Sequence, residues 1–145
     1  MIRRAEEKDL SRIGEILVFV KRIKFRPIFQ DDDFSFNTLQ VISVADEYRS
    51  YLDHIYVYDD GIVKGMIRIE NDEVRELYVD HFFQDQGIGS KLMEFAIKNF
   101  NVKFLWALEK NPDAIRFYER FGFRKNGIKK FEEDTPEYLI MLERE

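Results

Sequence analysis

The chain reads as an α/β fold with a mixed central sheet and helices on both sides, and three observations predict it. Ile55–Tyr58, Ile62–Ile69 and Glu73–Val79 are β-rich runs separated by Asp60-Gly61 and Asn71-Asp72, which is the pattern of successive antiparallel hairpins. Ile88, Leu92, Phe95, Ala96 and Phe100 then recur at helical spacing, and the short buried run Lys103–Leu108 follows. Strand, helix, strand in that order implies a parallel crossover pair, so strands 4 and 5 are expected to run side by side.

The flanking elements follow from the same reasoning. Ile2–Ala5 reads as a short strand. Leu10, Ile13, Leu17 and Val20 mark a helix that Asp9 can cap. Arg26–Phe36, "RPIFQDDDFSF", carries Pro27 and three successive aspartates and reads as a loop; Thr38–Leu52 leans towards helix. In "NPDAIRFYERFGF", Asn111 is a good N-cap, Pro112 suits the first helical position and Asp113 suits the positive helix end. Ala114, Phe117, Tyr118 and Phe121 share one face, Gly122 is a stop, and Phe123–Arg124 and Tyr138–Leu142 read as closing strands.

Composition bounds the function. The chain has 145 residues, 45% of them hydrophobic and 14 of them Phe, enough for one core in one domain. The formal net charge is −5 with the two signs interspersed, which argues against nucleic acid as partner. Without cysteine, disulfides, thiolate metal sites and a cysteine acyl-enzyme are excluded. His54 and His81 have no partner at metal-ligand spacing, so no metal is expected. The start, "MIRRAEEKDL", lacks the apolar segment of a signal peptide, and no run approaches membrane-spanning length. A cytoplasmic location is expected, with no membrane partner.

Gln84-Asp85-Gln86-Gly87-Ile88-Gly89 joins the fourth strand to its helix. A glycine-containing turn into a helix makes an anion site, where free amides and the positive helix end converge and a phosphate can approach the backbone. Tight turning or close helix–sheet packing explains the two glycines equally well on spacing alone. A P-loop would need Gly-Lys-Ser/Thr, and a dinucleotide fingerprint a third glycine where this chain has Leu92.

With these residues the chain resembles the GNAT superfamily of acetyl-CoA-dependent N-acetyltransferases. Gln84-x-x-Gly87-x-Gly89 after "LYV" matches that family's Gln/Arg-x-x-Gly-x-Gly/Ala pattern. Asn111, Tyr118 and Gly122-Phe123 match its second motif, and the element order agrees from Ile2 to Leu142. The resemblance implies one N-acetyltransferase domain over 1–145, with acetyl-CoA as co-substrate. It also implies that strands 4 and 5 splay and hold the pantetheine arm between them. Backbone groups of Leu77, Tyr78 and Val79 would line that arm. The amides of Gln84, Asp85, Gln86, Gly87, Ile88, Gly89 and Ser90 would hold the pyrophosphate. Asn111 would lie beside the pantetheine and Tyr118 near the thioester sulfur, as general acid.

Glu73 and Glu76 are the candidate bases. In a regular strand an odd separation puts them on opposite faces, and a bulge would change that. On the fifth strand, where some members carry a glutamate, the alignment gives Trp106. Asp85 and Gln86 replace the family's basic residues, Asp80-His81 stands where Asp-Pro is common, and Lys91 can offset Asp85. The aromatic and acidic "FQDDDFSF", Phe29–Phe36, falls where the family builds an acceptor wall, which suits a cationic amine. The expected activity is direct acetyl transfer to a primary amine, a small cationic molecule, in a ternary complex. The alternatives are a non-catalytic acyl-CoA-binding module and a protein N-terminal or lysine acetyltransferase. A homodimer is left open.

Overall fold

Seven strands form one sheet in the order β1-β2-β3-β4-β5-β7-β6. The computed structural model describes residues 1–32, 40–133 and 135–145, so part of the predicted acceptor wall lies outside the described residues. The strands are β1 (Ile2–Arg4), β2 (Ile55–Asp59), β3 (Val63–Glu70), β4 (Glu73–Val79), β5 (Phe104–Leu108), β6 (Arg124–Phe131) and β7 (Tyr138–Glu143). β1 to β4 are antiparallel neighbours, β4 and β5 are parallel, and β7 lies between β5 and β6. The predicted mixed α/β architecture is therefore present, with its parallel pair at β4 and β5.

The helices are α1 (Leu10–Val20), α2 (Arg26–Phe29), α3 (Val41–Tyr48), α4 (Ile88–Phe100) and α5 (Pro112–Glu119). Period-two alternation sends β-strand side chains into two cores. One holds Ile55, Val57 and Met66 with α1 and α3. The other holds Ile67, Val74, Leu105, Ala107, Ile140 and Leu142 with α4 and α5. The α1/α3 face is the upper face of the sheet and the α4/α5 face the lower one.

Three local expectations are corrected. Residues 21–29, partly read as loop, are helical: Lys21–Phe25 form a wider π turn and Arg26–Phe29 a short α turn. Pro27 is tolerated there because the first-turn position needs no amide hydrogen. Asp9 makes no side-chain cap to α1. Its carboxylate instead accepts from both Arg3 terminal nitrogens, at 2.8 and 2.9 Å, and from the Glu6 amide at 2.8 Å. The Arg3 bonds hold its pKa below the usual carboxylate value. Phe123 precedes β6 and is fully buried, whereas β6 itself runs on to Phe131 with every residue exposed.

Candidate functional site

β4 and β5 pair only at Glu73 with Phe104 and Val74 with Leu105. Beyond that point β4 remains laddered to β3 as far as Val79, and β5 remains laddered to β7 as far as Leu108. The two strands therefore part into a V. Along its sides, the facing edges of Glu76–Val79 and Trp106–Leu108 have no ladder between them, and backbone donors and acceptors there need partners.

The wide end of the V carries the glycine turn. Asp80 starts a 3₁₀ turn over His81–Phe83, its Oδ1 accepting from the Phe82 amide at 2.8 Å. Its other oxygen pairs with Arg12, whose Nε donates to the Val63 carbonyl at 2.8 Å. This partly buried pair fixes the end of β4 against α1, where the family commonly has Asp-Pro. Gln84 folds back and donates its side-chain amide to the Val79 carbonyl at 3.3 Å. Asp85 follows with φ +63° and Gly87 with φ +80°, and α4 begins at Ile88 without any side-chain cap. Asp85, Gln86 and Gly87 are exposed, Ile88 is buried, and Gly89 and Ser90 are half-buried. The first amides of a helix lack intrahelical acceptors, so those of Ile88, Gly89 and Ser90 face outwards at the mouth of the V.

The two glycines have different reasons to be there. Gly87 needs its positive φ, and a Cβ on it would meet nothing within 4 Å. At Gly89 a Cβ would make only ordinary contacts, 3.5 Å from the Phe117 ring and 3.6 Å from Val79. Close packing is instead imposed at Gly65 on β3, which the sequence reading passed over. A Cβ there would stand 3.1 Å from Ile88, 3.2 Å from Leu92 and 3.2 Å from the Tyr78 carbonyl.

Asn111 caps α5, its side-chain oxygen accepting from the Ala114 amide at 3.4 Å. Tyr118 lies on the lower face with Phe117 and Phe123. Burial pushes its phenol up to about 12, so it is a proton donor at any physiological pH. Leu77 and Val79 also point to the lower core, whereas Tyr78 points to the upper one beside Phe25 and Lys21.

Glu73 and Glu76 occupy one face, against the expectation for a regular strand. Arg68 pairs with Glu76 but Ile69 pairs with Val74, so Arg75 is an extra residue without a ladder partner. The bulge resets the alternation, and both glutamates reach the upper face. Their surroundings differ. The Glu76 carboxylate accepts from the Tyr48 hydroxyl at 2.5 Å and from Arg68 at 3.4 Å. Arg68 also donates to Glu70 at 3.0 Å and stacks 3.6 Å from the centre of the Tyr51 ring. Among the described residues Glu73 has one ion-pair partner, Arg75 at 3.7 Å; burial raises its pKa above the usual carboxylate value, although Arg75, Lys130 and Arg68 pull it the other way. Glu73 opens onto a cleft of about 490 Å³ lined in part by Tyr51, His54, Arg68, Glu70 and Phe104. Periodicity could not reveal Tyr48, Tyr51 and Arg68 as partners of β4, because only the folded sheet brings them together.

Comparison with known proteins agrees with this geometry. The model of the acetyltransferase (GNAT) domain matches residues 52–125. A spermine/spermidine N(1)-acetyltransferase of Bacillus subtilis is 30% identical over 76 residues, covering 48% of this chain and 47% of that protein. An uncharacterized N-acetyltransferase of Methanocaldococcus jannaschii is 35% identical over 77 residues, covering 50% of this chain and 34% of that protein. The chain thus spans less than half the length of these curated relatives. Among solved structures, apo YjaB from Escherichia coli superposes with a TM-score of 0.74 at 20% identity, over 99% of this chain and 95% of that one. YncA from Salmonella typhimurium, solved with its cofactor acetyl-CoA, superposes with a TM-score of 0.66 at 17% identity, over 99% and 91%. Likeness at these identities speaks to the fold, and the domain match over the V, the glycine turn and α5 carries the assignment: this chain belongs to the GNAT acetyltransferase family.

Proposed function

We propose that this chain is an acetyl-CoA-dependent N-acetyltransferase that moves acetyl to the primary amine of a small cationic molecule by direct attack in a ternary complex. The observation that carries this reading is the parting of β4 from β5 immediately after Val74, with the uncapped start of α4 at its wide end. An extended pantetheine arm supplies partners for the unladdered edge at Leu77, Tyr78 and Val79, as an added strand would. The amides of the turn from Gln84 to Ser90 face the pyrophosphate, and the positive end of α4 favours its charge. The Asp85 side chain is exposed and free to turn away from that charge. Asn111 stands beside the arm while capping α5.

The chemistry divides between the two faces of the sheet. On the upper face Glu73 takes the proton that the acceptor ammonium must lose, directly or through water. Its raised pKa suits that work, since a base is most effective near the operating pH. Glu76 is already engaged by Tyr48 and Arg68, so its carboxylate anchors β4. On the lower face Tyr118 gives its phenolic proton to the departing CoA sulfur. The C–N bond forms as the C–S bond breaks, and no acetylated enzyme is needed.

A cationic acceptor suits the carboxylates Glu70, Asp72 and Glu73 around the cleft, and the relatives named for spermine and spermidine point the same way. The test is a thiol-release screen across polyamines, aminoglycosides, amino acids and peptides, with CoA affinity measured by calorimetry alongside. Release of CoA with a small amine and transfer of acetyl to it are expected. CoA binding without transfer to any acceptor would leave a binding module, and transfer to peptides alone would make the chain a protein acetyltransferase.

A further inference from the structure

Trp106 is the first β5 residue beyond the pair Val74–Leu105, where the two strands part. It alternates with Leu105 and therefore lies on the upper face, the face of Glu73. An alkylammonium already rests on it. The Nζ of Lys130 lies 4.2 Å from the centre of the Trp106 ring. Lys130 belongs to the edge strand β6 and is opposite Leu139 of β7, so its side chain crosses a whole strand to get there. Its neighbour Lys129 points to the other face, pairing with Glu109 at 2.6 Å and lying over Tyr138. Lysine on an exposed edge ordinarily sends its ammonium to water. Lys130 instead directs it inward, to the electron-rich face of an indole at the narrow end of the V, where the Glu73 carboxylate attracts it as well. The attraction there is that of a cation for the ring quadrupole, and an acceptor ammonium would feel the same one.

We propose that the Trp106 ring is the ammonium subsite of the acceptor, for a primary alkylammonium, and that Lys130 is its resident occupant, displaced when the acceptor binds. This rests on reading the V as the acetyl-transfer site and names the part of it that recognises the amine. Two features fit the assignment. Trp106 and Glu73 share the upper face, and Glu73 pairs with Phe104, two residues before Trp106, so an ammonium leaving the ring is near the carboxylate that takes its proton. The chain also carries its own competitor, so an acceptor must outbid a tethered cation, which a neutral alcohol of the same shape cannot do.

Trp106 is the only tryptophan, so indole emission reports this ring alone. The experiment titrates the whole chain, without acetyl-CoA, with butylammonium chloride, and compares butan-1-ol and potassium chloride at equal ionic strength. Wild type, Lys130→Met and Lys130→Arg are compared. Lys130→Met keeps the stem and removes the charge; Lys130 lies on the exposed edge strand, and a melt of each variant accompanies the titration. Butylammonium is expected to change the emission saturably, with an affinity about tenfold higher in Lys130→Met, as loss of a competing cation–π contact implies. Lys130→Arg, which keeps a cation over the ring, is expected to retain the wild-type affinity, and butan-1-ol to give no saturable change. Equal affinities in wild type and Lys130→Met, or butan-1-ol binding as well as the amine, would overturn the assignment. Because no acetyl donor is present, failure of acetyl transfer elsewhere leaves this result untouched, and failure here leaves acetyl transfer untouched.

Discussion

Glu73 and Glu76 stand three residues apart on one strand and yet share a face of the sheet, because Arg75 between them takes no place in the β3–β4 ladder. One inserted residue thus brings two carboxylates to the upper face. Arg68 and Tyr48 then separate their roles by binding one and leaving the other.

The first prediction concerns Glu73 and pH. Burial raises its folded pKa, so the acidic limb of kcat/KM should lie above the ordinary glutamate value of about 4.3. In the unfolded chain the group returns to that ordinary value. The stability it contributes is therefore full below the unfolded pKa and lost as pH rises through the folded one. At neutral pH its buried charge costs stability, and Glu73→Gln should raise Tm there while lowering kcat/KM by about 10²–10⁴-fold. Melts at neutral and acid pH check the sign, since the gain in Tm should vanish on acidification.

Glu76 should behave in the opposite way. Its side chain is 13% exposed and that of Arg68 is 12% exposed, and removing one charge of a buried pair typically costs about 3–5 kcal/mol. Glu76→Gln should therefore lower denaturant stability strongly, by somewhat less than that range because the amide retains an acceptor. Tyr48→Phe, which removes a hydrogen bond to a charged group, should cost about 1.5–3 kcal/mol. Urea titrations of both variants measure this, and a Glu76→Gln chain as stable as wild type would return Glu76 to the list of bases.

Glycine substitutions should separate packing from ligand approach. Gly65→Ala pushes a methyl against Ile88, Leu92 and the Tyr78 carbonyl, and overpacking of this kind costs about 1–3 kcal/mol. Gly87→Glu meets no protein atom within 4 Å but places a carboxylate at the outward-facing amides of α4. It should abolish CoA binding in calorimetry while the positive φ costs about 1–2 kcal/mol in a melt. CoA affinity unchanged in folded Gly87→Glu would move the pyrophosphate elsewhere.

Tyr118→Phe should lower kcat by about 10²-fold, the lower end of the general-acid range, because a thiolate is already a fair leaving group. CoA affinity should hardly change, since the contact strengthens only as charge develops on sulfur. With the phenol pushed up to about 12, wild-type kcat should show no loss from Tyr118 ionisation up to about pH 10. Steady-state and single-turnover rates of the folded variant decide the matter, and wild-type turnover where chemistry limits the rate would reduce Tyr118 to a core residue.

Direct transfer predicts intersecting double-reciprocal plots and no acetylated enzyme by mass spectrometry. Parallel lines would require a covalent step for which the chain has no cysteine.

What could be read from sequence was local. β2 to β4 alternate with period two and are joined by Asp-Gly and Asn-Asp turns, and α5 declares its start through Asn111 and Pro112, so these elements were legible. The glycine turn was legible as a motif. The bulge at Arg75 was not, because an extra residue exists only relative to a partner strand. Nor was the pair Arg12–Asp80, whose members are 68 residues apart. β6, "RKNGIKKF", shows no alternation because every residue in it is exposed, so only its start was recognised as strand. Lys130 was passed over for the same reason, since nothing in the order of residues says that a lysine on the rim reaches an indole two strands away.

The placing of β7 between β5 and β6 has a consequence for the order of synthesis. β5 forms two register pairs with β4 and five with β7, so most of its ladder is supplied by a strand made more than thirty residues after it. The hairpins of β2, β3 and β4 can close as they emerge and α4 can pack on them, while β5 waits for Ile140 and Leu142 to complete its side of the lower core. During translation the wall of the V that bears Trp106 is thus the late wall. A nascent chain stalled before Tyr138 should retain the Arg68–Glu76 contact and yet hold β5 by its two pairs with β4 alone.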